Sequence, residues 1–327
     1  MGEDALRSIA AFINQKDDFT IIAHTSPDGD ALGASLGLYR ALIRMGKRAQ
    51  LVCDQTVPHA YVFLPGAEQV MLPDAARQTE YAIAVDCADR ARMGAAAVLF
   101  DNAKETCVID HHETNRGYGD HNAIDGNAAA AGELIAALLK LLDVEPDVAI
   151  ATCLYTAIMT DTGNFAYSNT RPETLRIGAE LLASGADNTE INRRIYRTVP
   201  FAKQKLLGRG LSNMLLLCEG KLCLTHLMQA DFAETGATSA DADGIVEHLR
   251  DVEGVEAAAF IKEQGEGVFK VSLRSQKAAD MGKIAQRMGG GGHKHAAGYT
   301  THGTLNEVIS QATALCVGAI KEVWKEL

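Results

Sequence analysis

Short apolar runs in the first third of the chain each end on an acid or a histidine. FTIIAH (19–24) leads into TSPDGDALG, QLVCD (50–54) ends on Asp54, YAIAVD (81–86) on Asp86, and TCVIDHH (106–112) on two histidines. Continuous β-branched runs separated by helical stretches, such as 31–44, predict a parallel sheet covered on both faces. In an open parallel sheet the loops beyond the strands' carboxyl ends converge on one crevice. That places His24, Asp28 and Asp30 near Asp86, Asp110, His111 and His112. Asp161, in TAIMTDTGNF, follows a further apolar run and is expected at the same edge.

Crowded carboxylates repel one another unless cations sit between them. Oxygen ligands with a few imidazoles suit manganese, magnesium or iron, and the lack of thiolates argues against structural zinc. Four aspartates and two histidines suffice for two ions sharing one carboxylate. Two ions ~3.5–4 Å apart are a standard device for phosphoester hydrolysis, where they activate water and neutralise the phosphate. Each piece alone is weak. Asp-Gly-Asp is common turn chemistry, and an aspartate after a strand is often a helix N-cap. DHH directly after an apolar run has no packing reason, and the pieces occur together in order.

At ~150 residues per domain, 327 residues make about two domains. Helical stretches at 130–143, 147–160 and 172–185 complete the first, residues 1–188, with Gly185 as C-cap. Residues 189–207 are polar and read as a partly helical linker. Residues 208–327 form the second domain. There, hairpins turn at Glu219–Gly220 and near Gly265–Gly267, and helices run at about 241–251, 279–288 and 304–325. The net charge of −11 disfavours coating long nucleic acid, which depends on Lys and Arg. No run of ~18 apolar residues predicts a membrane span, and the N-terminus lacks the order of a signal peptide. Gly2 lacks the context for myristoylation. Seven scattered cysteines without a CxxC pair read as reduced thiols of a cytoplasmic protein.

The second domain carries the local exception to the acidity. Segment 270–295 holds Lys270, Lys277, Lys283, Lys294, Arg274 and Arg287 against one acid, Asp280. The glycines 289–292 forfeit backbone entropy unless something approaches the backbone closely. Exposed N–H groups in such a loop make an anion nest, with His293 at its end. His295 reads equally as an assistant or a solvent-facing residue. His59, His121, His226, His248 and His302 read as surface or packing residues, and Trp324 as a packing or interface residue.

These segments resemble a known family. HTSPDGDALG (24–33), VDCADRARMG (85–94), VIDHH (108–112) and TDTGNF (160–165) resemble the motifs of the DHH phosphoesterases. GGGGHKHAAG (289–298) resembles the signature of their C-terminal DHH-associated domain. The resemblance implies an α/β fold, with a parallel-sheet catalytic domain, a linker and a smaller domain with a mixed sheet. It implies that His24, Asp28 and Asp86 hold one divalent cation. Asp30, Asp86, His111 and Asp161 would hold a second, Asp86 bridging. The ions would be Mn²⁺, with Mg²⁺ or Co²⁺ as alternatives. Asp110 would orient a histidine, and His112 would sit beside the scissile phosphate as charge stabiliser or proton donor. Arg274, Ser275, Gly290, Gly291, Gly292 and His293 would grip a terminal phosphate across an interdomain cleft.

The implied activity is metal-dependent hydrolysis of short RNA to mononucleotides and dephosphorylation of the nucleoside bisphosphate pAp. A grip at fixed distance from the metals favours lengths of about two to five nucleotides. Cyclic di-AMP or the linear dinucleotides pApA and pGpG are the alternative substrates, and homodimer assembly stays open. An inactive nucleotide-binding module would have lost a metal position, and every position is filled. Ala34 stands where many members have serine. Ala166 stands where many carry arginine, which bears on substrate preference.

Overall fold

The computed structural model describes residues 2–277 and 279–324. The chain divides into two compact units, residues 1–198 and 199–327.

In the first unit the apolar runs form a six-stranded, all-parallel sheet. Its strands are β1 (Phe19–Ala23), β2 (Ala49–Cys53), β3 (Val70–Met71), β4 (Tyr81–Val85), β5 (Glu105–Asp110) and β6 (His121–Ile124). The order is β3-β2-β1-β4-β5-β6. Alternate strand residues feed two cores. Ile21, Leu51 and Ile83 join Ile9, Ile13, Leu38 and Ile158 on one face. Ile22, Val52, Ala84 and Val108 join Met93 and Phe100 on the other. Burying each large aliphatic side chain contributes about 1.5–3 kcal/mol. With both faces covered, the strands carry no alternating polar positions, so their polar residues collect at the ends.

Register then fixes which ends meet. Ala23 of β1 lies opposite Val85 of β4, so His24 and Asp86 leave the sheet side by side. Val85 lies opposite Ile109 of β5, which puts Asp110 one step further along. The strand order reverses between β1 and β4, the switch point where open α/β sheets form their crevice.

Helix Gly29–Arg44 packs against helix Val148–Asp161. A Cβ at Gly33 would collide with Cys153 O, and one at Gly29 with the Thr160 side chain. Glycine at these positions lets the helices approach closely, and brings the start of the first beside the end of the second. Asp28 and Asp30 therefore reach Asp161.

Residues 189–207 are largely ordered helix. Asn188–Asn192 and Arg193–Arg197 belong to the first unit, and Phe201–Ser212 opens the second.

The second unit holds a mixed sheet of β7 (Leu215–Leu217), β8 (Leu222–Leu227), β9 (Ala257–Gly265), β10 (Val268–Ser275), β11 (Gly291–His293) and β12 (Ala296–His302). The order is β11-β12-β10-β9-β8-β7, antiparallel except for β8 with β9. Helix Leu305–Trp324 covers one face through Val308, Ala312 and Cys316. The Trp324 side chain lies outside the described residues. Among the described residues no helix is long and apolar enough to cross a membrane.

The glycine run differs from the expected loop. Gly291–His293 is an edge strand paired with Ala296–Gly298 of β12. A Cβ at Gly290 would collide with Gly298 O, and one at Gly292 would crowd Ala296 and Ala297. At these two positions the partner that demands glycine is the chain's own β12.

Candidate metal centre

Each acid and histidine of the crevice is set by its element. Asp28 caps helix Gly29–Arg44, its Oδ1 accepting from Ala31 N at 3.0 Å. Asp30 is fully buried, and its two oxygens accept from Ala131 N at 2.6 Å and Gly132 N at 2.9 Å. Those N–H groups open helix Ala131–Leu141, whose dipole favours a negative charge there. Asp86 follows β4 with a left-handed φ of 58°, a conformation aspartate tolerates better than most residues.

The side chains form two groups that share Asp86. His24 Nε2 lies 3.7 Å from Asp28 Oδ1 and 3.5 Å from Asp86 Oδ2. His111 Nε2 lies 3.6 Å from Asp30 Oδ2, 3.4 Å from Asp86 Oδ1 and 3.3 Å from Asp161 Oδ2. Asp86 thus turns one oxygen to each group. His24 Nδ1 sits 2.7 Å from Thr25 O, and His111 Nδ1 sits 3.3 Å from Ala128 O. A carbonyl only accepts, so in both rings Nδ1 carries the hydrogen and Nε2 faces the carboxylates.

Charge accounting shows why this donor set suits cations. Asp86 Oδ1 is buried and accepts no hydrogen bond. Burial, with the Asp86 and Asp161 carboxylates, pushes Asp30 well above the usual carboxylate range. Burial also pushes Asp161 up to about 6, with His111 opposing and Asp86 adding. Burial alone would pull the His24 and His111 imidazoles down. The carboxylates facing them outweigh it and hold each up to about 10. Imidazole and carboxylate donors in groups of three, within 4.8 Å of one another, fit a divalent cation.

His112 differs from its neighbour. Its Nδ1 lies 2.8 Å from Asp110 Oδ1 and 3.5 Å from Asp86 Oδ1, and the ring is partly open to solvent. Asp110 is fully buried. Its Oδ1 also accepts from His111 N at 2.9 Å, and its Oδ2 from Asn115 Nδ2 at 2.6 Å. Asn115 is the residue that sequence reasoning missed. It is buried, and it also donates to Cys87 O at 3.1 Å, tying the DHH turn to the loop after β4. An asparagine in a turn is too common to stand out in a sequence.

The DHH family N-terminal domain matches residues 18–158, and the DHHA1 domain matches residues 221–318. The chain belongs to the DHH family. The bifunctional oligoribonuclease and PAP phosphatase NrnA of Thermus thermophilus is 38% identical over 313 residues, covering 92% of this chain and 89% of its own. The cyclic-di-AMP phosphodiesterase PdeA of Listeria monocytogenes is 24% identical over 340 residues, covering 98% of this chain and 50% of its own. An exopolyphosphatase-related protein from Bacteroides fragilis, seen in a crystal structure, is 25% identical with a TM-score of 0.87, covering 96% of each chain.

DHH phosphoesterases are metal-dependent, and three overlapping groups, His24–Asp28–Asp86, Asp30–His111–Asp161 and Asp86–His111–His112, supply the donors such dependence needs. Metal ligands must be deprotonated, so loading a site whose imidazoles carry protons releases them. Adding Mn²⁺ to the metal-free protein near neutral pH should therefore release protons, from the His24 and His111 imidazoles and from the raised Asp30 carboxyl. Calorimetry in buffers of different ionisation enthalpy measures the number. Heats independent of the buffer would mean that His24 and His111 carry no extra proton in the metal-free protein.

The second-unit residues are placed less uniformly. Arg274 donates from Nε to Glu247 Oε1 at 2.9 Å and from Nη1 to Leu273 O at 3.0 Å. Ser275 is buried, with its Oγ 3.1 Å from His295 Nδ1. Gly290, just before β11, and Gly291, Gly292 and His293 within it are exposed. Ala166 is exposed in the turn after helix Val148–Asp161, its N–H donating to Thr162 O at 2.9 Å.

Proposed function

We propose that the chain is a two-metal phosphoesterase. It hydrolyses short oligoribonucleotides to mononucleotides and dephosphorylates pAp to AMP. The observation that carries this reading is the Asp86 carboxylate, one oxygen turned to the His24–Asp28 group and the other to the His111–Asp30–Asp161 group. The name and coverage of the Thermus relative support the substrate class. Hydrolysis of cyclic di-AMP is the second reading, favoured by the Listeria relative, half of whose length the chain matches. Seven free cysteines, six of them buried, favour a reducing compartment such as the cytoplasm.

His24, Asp28 and Asp86 would hold one cation, and Asp30, Asp86, His111 and Asp161 the other. Mn²⁺ is the first choice, because hard oxygen donors mixed with imidazole suit it. The bound ions would supply charge neutralisation at the phosphate and activation of water. The protein's own contribution is positional. Asp30 is locked by two backbone N–H groups, Asp110 is locked by Asn115, and Asp110 fixes the ring of His112. His112 keeps Nε2 free to give a proton to a leaving oxygen. A parallel assay of pAp, dinucleotide and cyclic di-AMP with Mn²⁺, Mg²⁺ and Co²⁺ tests the reading. Absence of hydrolysis of all three would end it.

Length preference would come from the second unit, where Arg274, Ser275, His293 and Gly290–Gly292 hold a terminal phosphate. Short phosphorylated RNA should then be cut faster than a long strand. Arg274→Ala should weaken binding of short phosphorylated substrates about ten- to a hundredfold, the value of a charge-assisted hydrogen bond. The loss on a small activated phosphodiester, which has no second anchor, should be smaller. KM values for the two substrates decide it. Long RNA degraded as fast as dinucleotide, or equal losses on both substrates, would remove the grip from the mechanism.

A further inference from the structure

Arg90 and Arg92 share one short turn after β4, and their side chains are treated very differently. Arg90 donates from Nε to Asp101 Oδ1 at 2.7 Å and also pairs with Asp101 Oδ2, a two-pronged surface pair. The Arg92 guanidinium has no carboxylate within ion-pair distance among the described residues. Its side-chain neighbour is His24, with Nη2 3.5 Å from Nδ1. That approach is a contact and not a bond, because Nδ1 directs its hydrogen to Thr25 O.

The backbone beneath Arg92 is nevertheless fixed. Thr25 N donates to Arg92 O at 2.7 Å, directly after His24. Arg92 N donates to Asp89 O at 3.2 Å and to Asp89 Oδ1 at 3.0 Å. Two residues on, Gly94 takes φ 56° and ψ −135°. A Cβ there would collide with the Asp54 carboxylate and crowd Thr25 Cγ2. Only glycine lets this turn lie so close to the ends of β1 and β2. The result is a pinned base carrying an exposed, unpaired guanidinium at the rim of the metal centre.

We infer that Arg92 is a phosphate-binding residue, engaging a substrate phosphate at the His24–Asp28–Asp86 end of the site. The inference deepens the proposed function and rests on it. An unpaired cation beside a group that collects cations is unfavourable until an anion arrives. The planar guanidinium fork matches the oxygens of a phosphate, where lysine offers only a point charge. His24 turns Nε2 to the carboxylates and Nδ1 to Thr25 O, and Arg92 Nη2 lies 3.5 Å from Nδ1 on that side of the ring. The guanidinium therefore stands beyond the ring, outside the cluster of acids, where a ligand oxygen can reach it.

The test titrates AMP and inorganic phosphate into the Mn²⁺-loaded protein and its Arg92→Ala and Arg92→Lys variants. Arg92→Ala should weaken AMP about tenfold or more, as loss of a charge-assisted hydrogen bond does. Arg92→Lys should recover part of that loss, and bound Mn²⁺ should not change. In hydrolysis, KM for pAp should rise more than kcat falls. A larger loss on pAp than on a single-phosphate activated diester assigns Arg92 to the phosphate beside the scissile one. Equal losses assign it to the scissile phosphate itself. The inference is overturned if AMP affinity stays within about twofold of the parent, or if Mn²⁺ is lost with activity, which would mean Arg92 merely supports His24. Should the parent chain hydrolyse neither substrate, the proposed function falls, and the AMP titration still decides Arg92.

Discussion

An Asp86→Asn chain should fold and hydrolyse nothing. The carboxylate of Asp86 reaches His24 with one oxygen and His111 with the other, so both groups lose a donor charge at once. An amide keeps the shape but offers one neutral oxygen, and two cations cannot share it. Loss of an outer partner of a metal ligand already costs ~10–100-fold in affinity or activity, and loss of a shared ligand should exceed that. The fold should survive for two reasons. Asparagine tolerates the left-handed φ of 58° that position 86 requires. The change also removes a buried negative charge whose Oδ1 has no hydrogen bond. Asp86→Ala should be equally inactive but less stable, since alanine gains nothing from that conformation. Metal content, thermal unfolding and hydrolysis of dinucleotide together settle it. An active Asp86→Asn enzyme would remove the shared-ligand model.

The first unit was legible because its sheet is buried on both faces. Strands such as Tyr81–Val85 have no solvent side to decorate, so their apolar runs are unbroken and end abruptly at the site residues. That abruptness marked His24, Asp86 and Asp110 before any geometry was known. Two strands escaped notice for the opposite reason. Val70–Met71 has two residues, and His121–Ile124 has only Ala123 buried. Asn115 was invisible because its role lies in a contact to Asp110 and Cys87 that no spacing encodes. The glycine run reads as a loop, and part of it is an edge strand paired with β12. A sequence reports that something comes close to a glycine, and not whether that neighbour is a phosphate or a strand of the same chain. Arg274 illustrates a related limit. A basic segment gives the charges, but the pairing of Arg274 with Glu247 comes from a helix 27 residues earlier in the chain.

The two adjacent histidines should separate cleanly when each is changed to alanine. His111 faces three carboxylates through Nε2, with its Nδ1 hydrogen spent on Ala128 O. Losing it should empty one metal position and abolish activity. His112 commits Nδ1 to Asp110, which leaves Nε2 pointing away from that partner. His112→Ala should therefore keep its metals and turn over more slowly, by the ~10²–10⁴-fold typical of a positioned acid or base. The pH dependence adds an independent check. The Asp110 hydrogen bond outweighs burial and holds the His112 imidazole above its ordinary value. A proton donor works while protonated, so activity should fall as pH rises through that raised value. Asp110→Asn weakens the charge that raises it, and should move this alkaline limb to lower pH. His112→Ala should erase the limb altogether. If His112→Ala instead strips metal as completely as His111→Ala, both rings are ligands. The proton on the leaving oxygen must then come from another group.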